Sequence, residues 1–146
     1  MAGSGPGGQA LVGSGDAAAI PIRYADGVVI VLTGAAGAGT TTIGRALAAE
    51  LGWTFVDGGR AQELHAVAAR ALDHRAHTVI ASPALTRHDR EVLRGDLRTV
   101  RFVYFQPSGA ASERRVERPS ADEALTVDST WTPERILGAI RTEFGV

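Results

Sequence analysis

Cysteine is absent from the 146-residue sequence, which excludes disulfides and thiolate metal sites outright. An excess of one charge is also lacking, since 15 basic and 16 acidic residues leave a formal net charge of -1. No basic surplus points to nucleic acid, and no acidic block points to a tail. Long apolar runs are missing as well. The longest, Val28 to Leu32, is far shorter than the roughly 20 residues that a membrane-spanning helix needs. From Met1 to Ala19 the chain is rich in Gly, Ala and Ser, with no positive region ahead of an apolar stretch, so no secretory signal is expected. Residues 1–25 read instead as a disordered leader, unable to bury enough surface to offset the entropy of ordering. Residues 26–146 read as one domain with one core, and the expected compartment is the cytoplasm. No internal repeat is visible.

What the sequence does contain is a glycine-rich segment, Gly34-Ala35-Ala36-Gly37-Ala38-Gly39-Thr40-Thr41. Its frame, Gly34 and Gly39 with a hydroxyl at the end, is that of a phosphate-binding loop. It follows Val28–Leu32, which reads as a buried strand, and a helical pattern starts directly after it. Glycines let the backbone turn its N–H groups inward around a phosphate, and the following helix adds the positive end of its dipole. The pattern asks for lysine before the final hydroxyl, and here Thr40 stands in that place. The competing reading is a tight glycine turn with no ligand.

Short apolar runs alternate with helical segments along the rest of the chain. Strands are expected at Val28–Leu32, Trp53–Val56, Thr78–Ala81, Arg101–Phe105 and Leu125–Val127. Helices are expected over about Thr41–Leu51, stopped by Gly52, over Arg60–Arg75 and over Arg87–Arg94. A short charged helix is expected around Ala110–Glu117, and a last one starts at Thr132-Pro133 and buries Ile136, Leu137, Ile140 and Phe144. Such alternation predicts an α/β fold with a mostly parallel five-stranded sheet covered on both faces.

Four stretches resemble the gluconokinase family, P-loop kinases related to shikimate kinase. They are Val29 through Ala46-Leu47, Phe55-Val56-Asp57-Gly58, Ser82-Pro83-Ala84-Leu85-Thr86-Arg87 through Arg94, and Arg101-Phe102-Val103-Tyr104. A fifth, Asp122 to Asp128, is similar to the family's C-terminal end. The resemblance implies a three-layer α/β/α P-loop kinase fold, usually dimeric, that transfers the γ-phosphoryl group of ATP to D-gluconate with Mg²⁺. Carried over residue by residue, it places nucleotide contacts at Gly34, Ala35, Ala36, Gly37, Ala38, Gly39, Thr40, Thr41 and Thr42, with Arg115 and Arg118 at the base of a lid. It places Mg²⁺ at Thr41 and Asp57, and gives Asp57 a catalytic part. D-gluconate or a related sugar acid is the implied second ligand; neither nucleic acid nor membrane is.

The departures fall on the chemistry. Thr40 removes a cation from a reaction in which the protein mainly positions groups and stabilises charge. By analogy with losing one transition-state donor, that costs about 10²–10³ in rate. Arg60 and Arg87 are candidate substitutes, while Arg45 is expected to point away. The family's Asp-Gly-Asp strand end here reads Asp57-Gly58-Gly59, one carboxylate short of the pair that holds a metal water and the substrate hydroxyl. One helix stands where a longer substrate-binding insertion is expected, and beyond Arg118 the chain runs almost straight to Asp122, without the mobile lid. Arg115 and Arg118 read equally as an exposed charged helix paired with Glu113 and Glu117.

Other features take plainer readings. His74 and His77 have no third ligand nearby, His88 is solvated, Trp53 and Trp131 pack at strand edges, and Ser82 has no companions suggesting a nucleophile. Three functions remain open on sequence. They are an impaired gluconokinase-like kinase, a pseudokinase that binds nucleotide and acts through partners, and a scaffold with an empty loop.

Overall fold

The computed structural model describes residues 27–35, 37–83, 85–106, 119–120 and 123–146. In chain order these form β1 (Val28–Gly34), α1 (Thr40–Leu51), β2 (Thr54–Asp57), α2 (Ala61–Asp73), β3 (His77–Ala81) and α3 (Arg87–Arg94). Then come β4 (Val100–Gln106), β5 (Ala124–Asp128) and α4 (Pro133–Phe144). The leader and the helix expected around Ala110–Glu117 lie outside the described residues.

The strands form one five-stranded sheet in the order β2-β3-β1-β4-β5, every pairing parallel. β1 is central because each of its residues is buried, as a strand covered on both faces must be. Its side chains alternate between two cores. Val28, Ile30 and Leu32 pack with Ile43 and Leu47 of α1 and Ile136, Leu137 and Ile140 of α4. Val29 and Val31 pack on the other face with Leu64 and Ala68 of α2 and Leu93 of α3. The architecture is therefore the expected three layers, helix–sheet–helix.

The connections place the site. β1 leads to α1 on one face, while its neighbour β3 leads to α3 on the other. The two chains leave the sheet in opposite directions and open a crevice at its carboxyl edge, where ligands of such folds bind.

Several expected boundaries move by one or two residues, each for a local reason. α1 begins at Thr40, because the carbonyl of Gly39 accepts from the Ile43 amide at 2.9 Å. β2 starts at Thr54 because Trp53 still belongs to the end of α1, its amide donating to Ala48 O at 2.9 Å. α2 is shorter than Arg60–Arg75, with Arg60 as its extended N-cap and Arg75 at φ +56° beyond its end. α3 spans the residues expected, started by a capping box in which Thr86 and Asp89 satisfy each other's amides. Among the described residues no helix is long and apolar enough to cross a membrane.

Candidate functional site

β1 ends at Gly34, where the chain must turn beside β4. A Cβ there would lie 2.7 Å from the Phe105 carbonyl oxygen, so only glycine lets the two backbones approach. The loop then tightens, the Ala38 amide donating to Ala35 O at 3.0 Å. Gly37 and Gly39 take φ of +86° and +96°, and among the described residues no atom beyond the chain neighbours lies within 4 Å of where a Cβ on either would stand. No described residue beyond the chain neighbours covers that face of the loop. The N-cap of α1, Gly39, makes no side-chain cap, and no acidic residue sits in the helix's first turn. Amides at such a helix start can meet an anion.

Thr40 is only 4 % exposed, Thr41 is half-buried and Thr42 is exposed. The Thr41 hydroxyl donates to Asp57 Oδ1 at 3.2 Å, so the end of the loop and the end of β2 meet across the crevice mouth. A hydroxyl and a carboxylate are hard oxygen donors of the kind Mg²⁺ takes, with waters and phosphate oxygens completing the shell. These two residues fit the metal. The loop's backbone and open face fit a phosphate chain, and the lysine position does not. Ala36, Arg115 and Arg118 lie outside the described residues.

No lysine occurs anywhere in the sequence, all 15 basic residues being arginine. A substitute for the missing cation would therefore be an arginine. Arg45 is turned away, its guanidinium 5.1 Å over the Phe55 ring. Arg87 lines a pocket of about 330 Å³ on the far flank of α3, beside Arg90, Arg94 and Phe102. Arg60 stands nearer the chemistry, exposed, at the turn that follows Asp57.

The backbone of that turn is tightly constrained. Gly58 donates its amide to Ala81 O at 2.7 Å, and Gly59 adopts φ +116°. L side chains rarely enter that region, and a Cβ at Gly59 would also press on Leu64 Cδ2 at 3.1 Å. A cleft of about 400 Å³ opens next to it, lined by Gly59, Arg60, Gln62, Ser82, Leu85 and His88, with Asp89 at one side. The Asp89 carboxylate already accepts from the Thr86 amide at 3.1 Å. Asp57 and Asp89 thus each have a partner, Asp57 in Thr41 and Asp89 in the helix cap.

At the end of β5, Asp128 accepts from the Thr130 hydroxyl at 2.6 Å and the Thr130 amide at 2.8 Å. These bonds hold its carboxyl below the usual carboxylate range. Beside it the Arg135 guanidinium lies 4.0 Å over the Trp131 ring. His74 Nδ1 pairs with the Arg70 carbonyl at 2.8 Å, while His77 stacks on Trp53 with ring centroids 4.8 Å apart. His88 is exposed at the cleft rim. Among the described residues no group of three or more His, Asp or Glu is placed to hold a metal.

Sequence reasoning passed over two buried residues. Thr33 is fully buried and Arg90 is 1 % exposed. Arg90 donates through Nε to Glu123 Oε2 at 2.7 Å and through Nη1 to Leu85 O at 3.0 Å. Its place in the His88-Asp89-Arg90-Glu91 run suggests a solvated helix face, and only its i,i+3 spacing to Leu93 hints otherwise.

No family model matches the sequence, and neither does any curated protein. Solved structures do match. A sugar kinase from a Janibacter species aligns at TM-score 0.68 and 20 % identity, over 79 % of this chain and 92 % of that one. A gluconokinase from Sinorhizobium meliloti aligns at TM-score 0.62 and 18 % identity, over 83 % and 93 % respectively. A shikimate kinase from Acinetobacter baumannii, in complex with shikimate, aligns at TM-score 0.50 and 21 % identity, over 82 % and 96 %. At such identities the likeness establishes the fold, which is that of the P-loop kinases.

Proposed function

We propose that residues 26–146 form a gluconokinase-like P-loop unit that binds Mg·ATP at Gly34–Thr42 and a sugar acid of the D-gluconate class in the adjoining cleft. The reaction this reading assigns is ATP + D-gluconate to 6-phospho-D-gluconate + ADP, much slowed here. The observation that carries it is the 3.2 Å contact between the Thr41 hydroxyl and Asp57, at the mouth of a loop whose glycines meet no described residue beyond their chain neighbours. Backbone amides and the α1 N-terminus would hold the phosphates, and Thr41 with Asp57 would hold the metal. Mg²⁺ supplies charge neutralisation between the phosphates. Arg60, Gln62, Ser82 and His88 give the cleft donors suited to a carboxylate and hydroxyls. The cytoplasm and a homodimer belong to the same reading.

A second reading, a nucleotide-binding pseudokinase acting through partners, is favoured by Gly59. A backbone at φ +116° cannot simply regain the carboxylate a transferring enzyme uses. The two readings part in one assay, ADP release from Mg·ATP followed with and without D-gluconate. Gluconate-dependent turnover that disappears in Asp57→Ala supports the kinase. Stabilisation by Mg·ATP with no turnover, even after Thr40→Lys, supports the pseudokinase.

A further inference from the structure

We propose that Thr33 and Arg90 are positioning residues that hold the wall of the cleft and the phosphate loop together as one cooperative unit. The identity of the ligands rests on the function proposed above. The clasp itself does not.

The observation is that both peptide groups of one residue, Leu85, are held by side chains from other elements. Its amide donates to Thr33 Oγ1 at 3.1 Å, across 52 residues of sequence. Its carbonyl accepts from Arg90 Nη1 at 3.0 Å, and the Arg90 guanidinium is in turn fixed by Glu123 at the entry to β5. Leu85 is 4 % exposed and lines the cleft. Thr33 directly precedes Gly34, the first residue of the phosphate loop. The start of the same connection is tied to β1 as well, Ser82 donating its amide to Leu32 O at 2.9 Å.

The chemistry explains why side chains are needed. β3 ends at Ala81, so Leu85 lies beyond the sheet's ladder. Its buried N–H and C=O need partners, and leaving either unmade costs more than the bond itself contributes. Threonine suits the place because its β-branched side chain is stiff and its hydroxyl sits close to the strand. Order imposed on the loop by a phosphate is thereby shared with the cleft wall, a coupling through local stability that needs no large displacement.

The test is amide hydrogen exchange on the full chain, comparing the native protein with Thr33→Val and Thr33→Ser. Without ligand, Thr33→Val is expected to exchange about tenfold faster in peptides spanning 82–86 and also in those spanning 34–42. Thr33→Ser, which keeps the hydroxyl, is expected to stay near native. Faster exchange confined to 82–86 overturns the proposal, as does a Thr33→Ser variant as labile as Thr33→Val. With 1 mM Mg·ATP the native chain should gain protection at 34–42 and at 82–86 together, and Thr33→Val at 34–42 alone. Protection of the native chain confined to 34–42 also overturns it. If Mg·ATP protects neither segment, the nucleotide reading fails while the ligand-free comparison still decides the clasp.

Discussion

The glycine loop and the turn after β2 face each other across one crevice, joined by the Thr41–Asp57 contact, yet their backbones would receive a new side chain in different ways. At the loop the backbone suits a phosphate: two glycines at positive φ, with a face that no described residue beyond their chain neighbours covers. What the motif asks for and the loop lacks is one side chain, at Thr40. At the turn the backbone itself is the constraint, Gly59 resting at φ +116° against Leu64. A missing side chain can be put back on a scaffold that still fits it. A side chain placed on a backbone at such a φ is strained, and on the function proposed above this asymmetry separates binding from transfer.

The loop side of the comparison breaks most severely at Gly34. A Gly34→Ala variant would drive a methyl into Phe105 O at 2.7 Å and is expected to lose ~3 kcal/mol of stability, read from chemical denaturation. Sharpening the comparison comes next. Thr40→Lys should tighten Mg·ATP binding by about 10–100-fold, the worth of a charge-assisted hydrogen bond, read by calorimetric titration. The turn should behave in the opposite sense. Gly59→Asp is expected to cost about 1–3 kcal/mol through its forced φ and to leave turnover undetectable in the Thr40→Lys background.

The smallest effect is one of pH, and it lies away from the crevice. Burial lowers the pKa of His77, so the folded chain binds a proton there less readily than the unfolded one. Its contribution to stability is therefore complete above the ordinary histidine value and fades as pH falls through the lowered one. A His77→Gln variant should flatten that part of the stability curve between pH 7 and 5. If the slope persists, its source is elsewhere.

Much of the fold was legible because it is local. The Val28–Leu32 run, the Thr132 cap and the Gly52 stop each announce an element within a few residues, and the sheet follows from their alternation. Thr41 and Asp57, singled out by motif, are brought within 3.2 Å of each other. What stayed hidden is long-range or conformational. The φ of Gly59 leaves no trace in a Gly-Gly pair. Nor does sequence show that Arg90 is buried, since its partners Leu85 O and Glu123 are brought to it only by packing. Arg115 and Arg118 lie outside the described residues, and the role assigned to them still rests on the resemblance.

The most direct test of the central claim is calorimetric titration of the purified chain with ATP, in the presence of Mg²⁺ and in its absence, alongside Asp57→Asn. The account predicts micromolar binding that needs Mg²⁺ in the native protein and loses that dependence in Asp57→Asn. No heat at millimolar Mg·ATP, with no shift in melting temperature, would contradict it and leave the glycine loop as a turn between a strand and a helix.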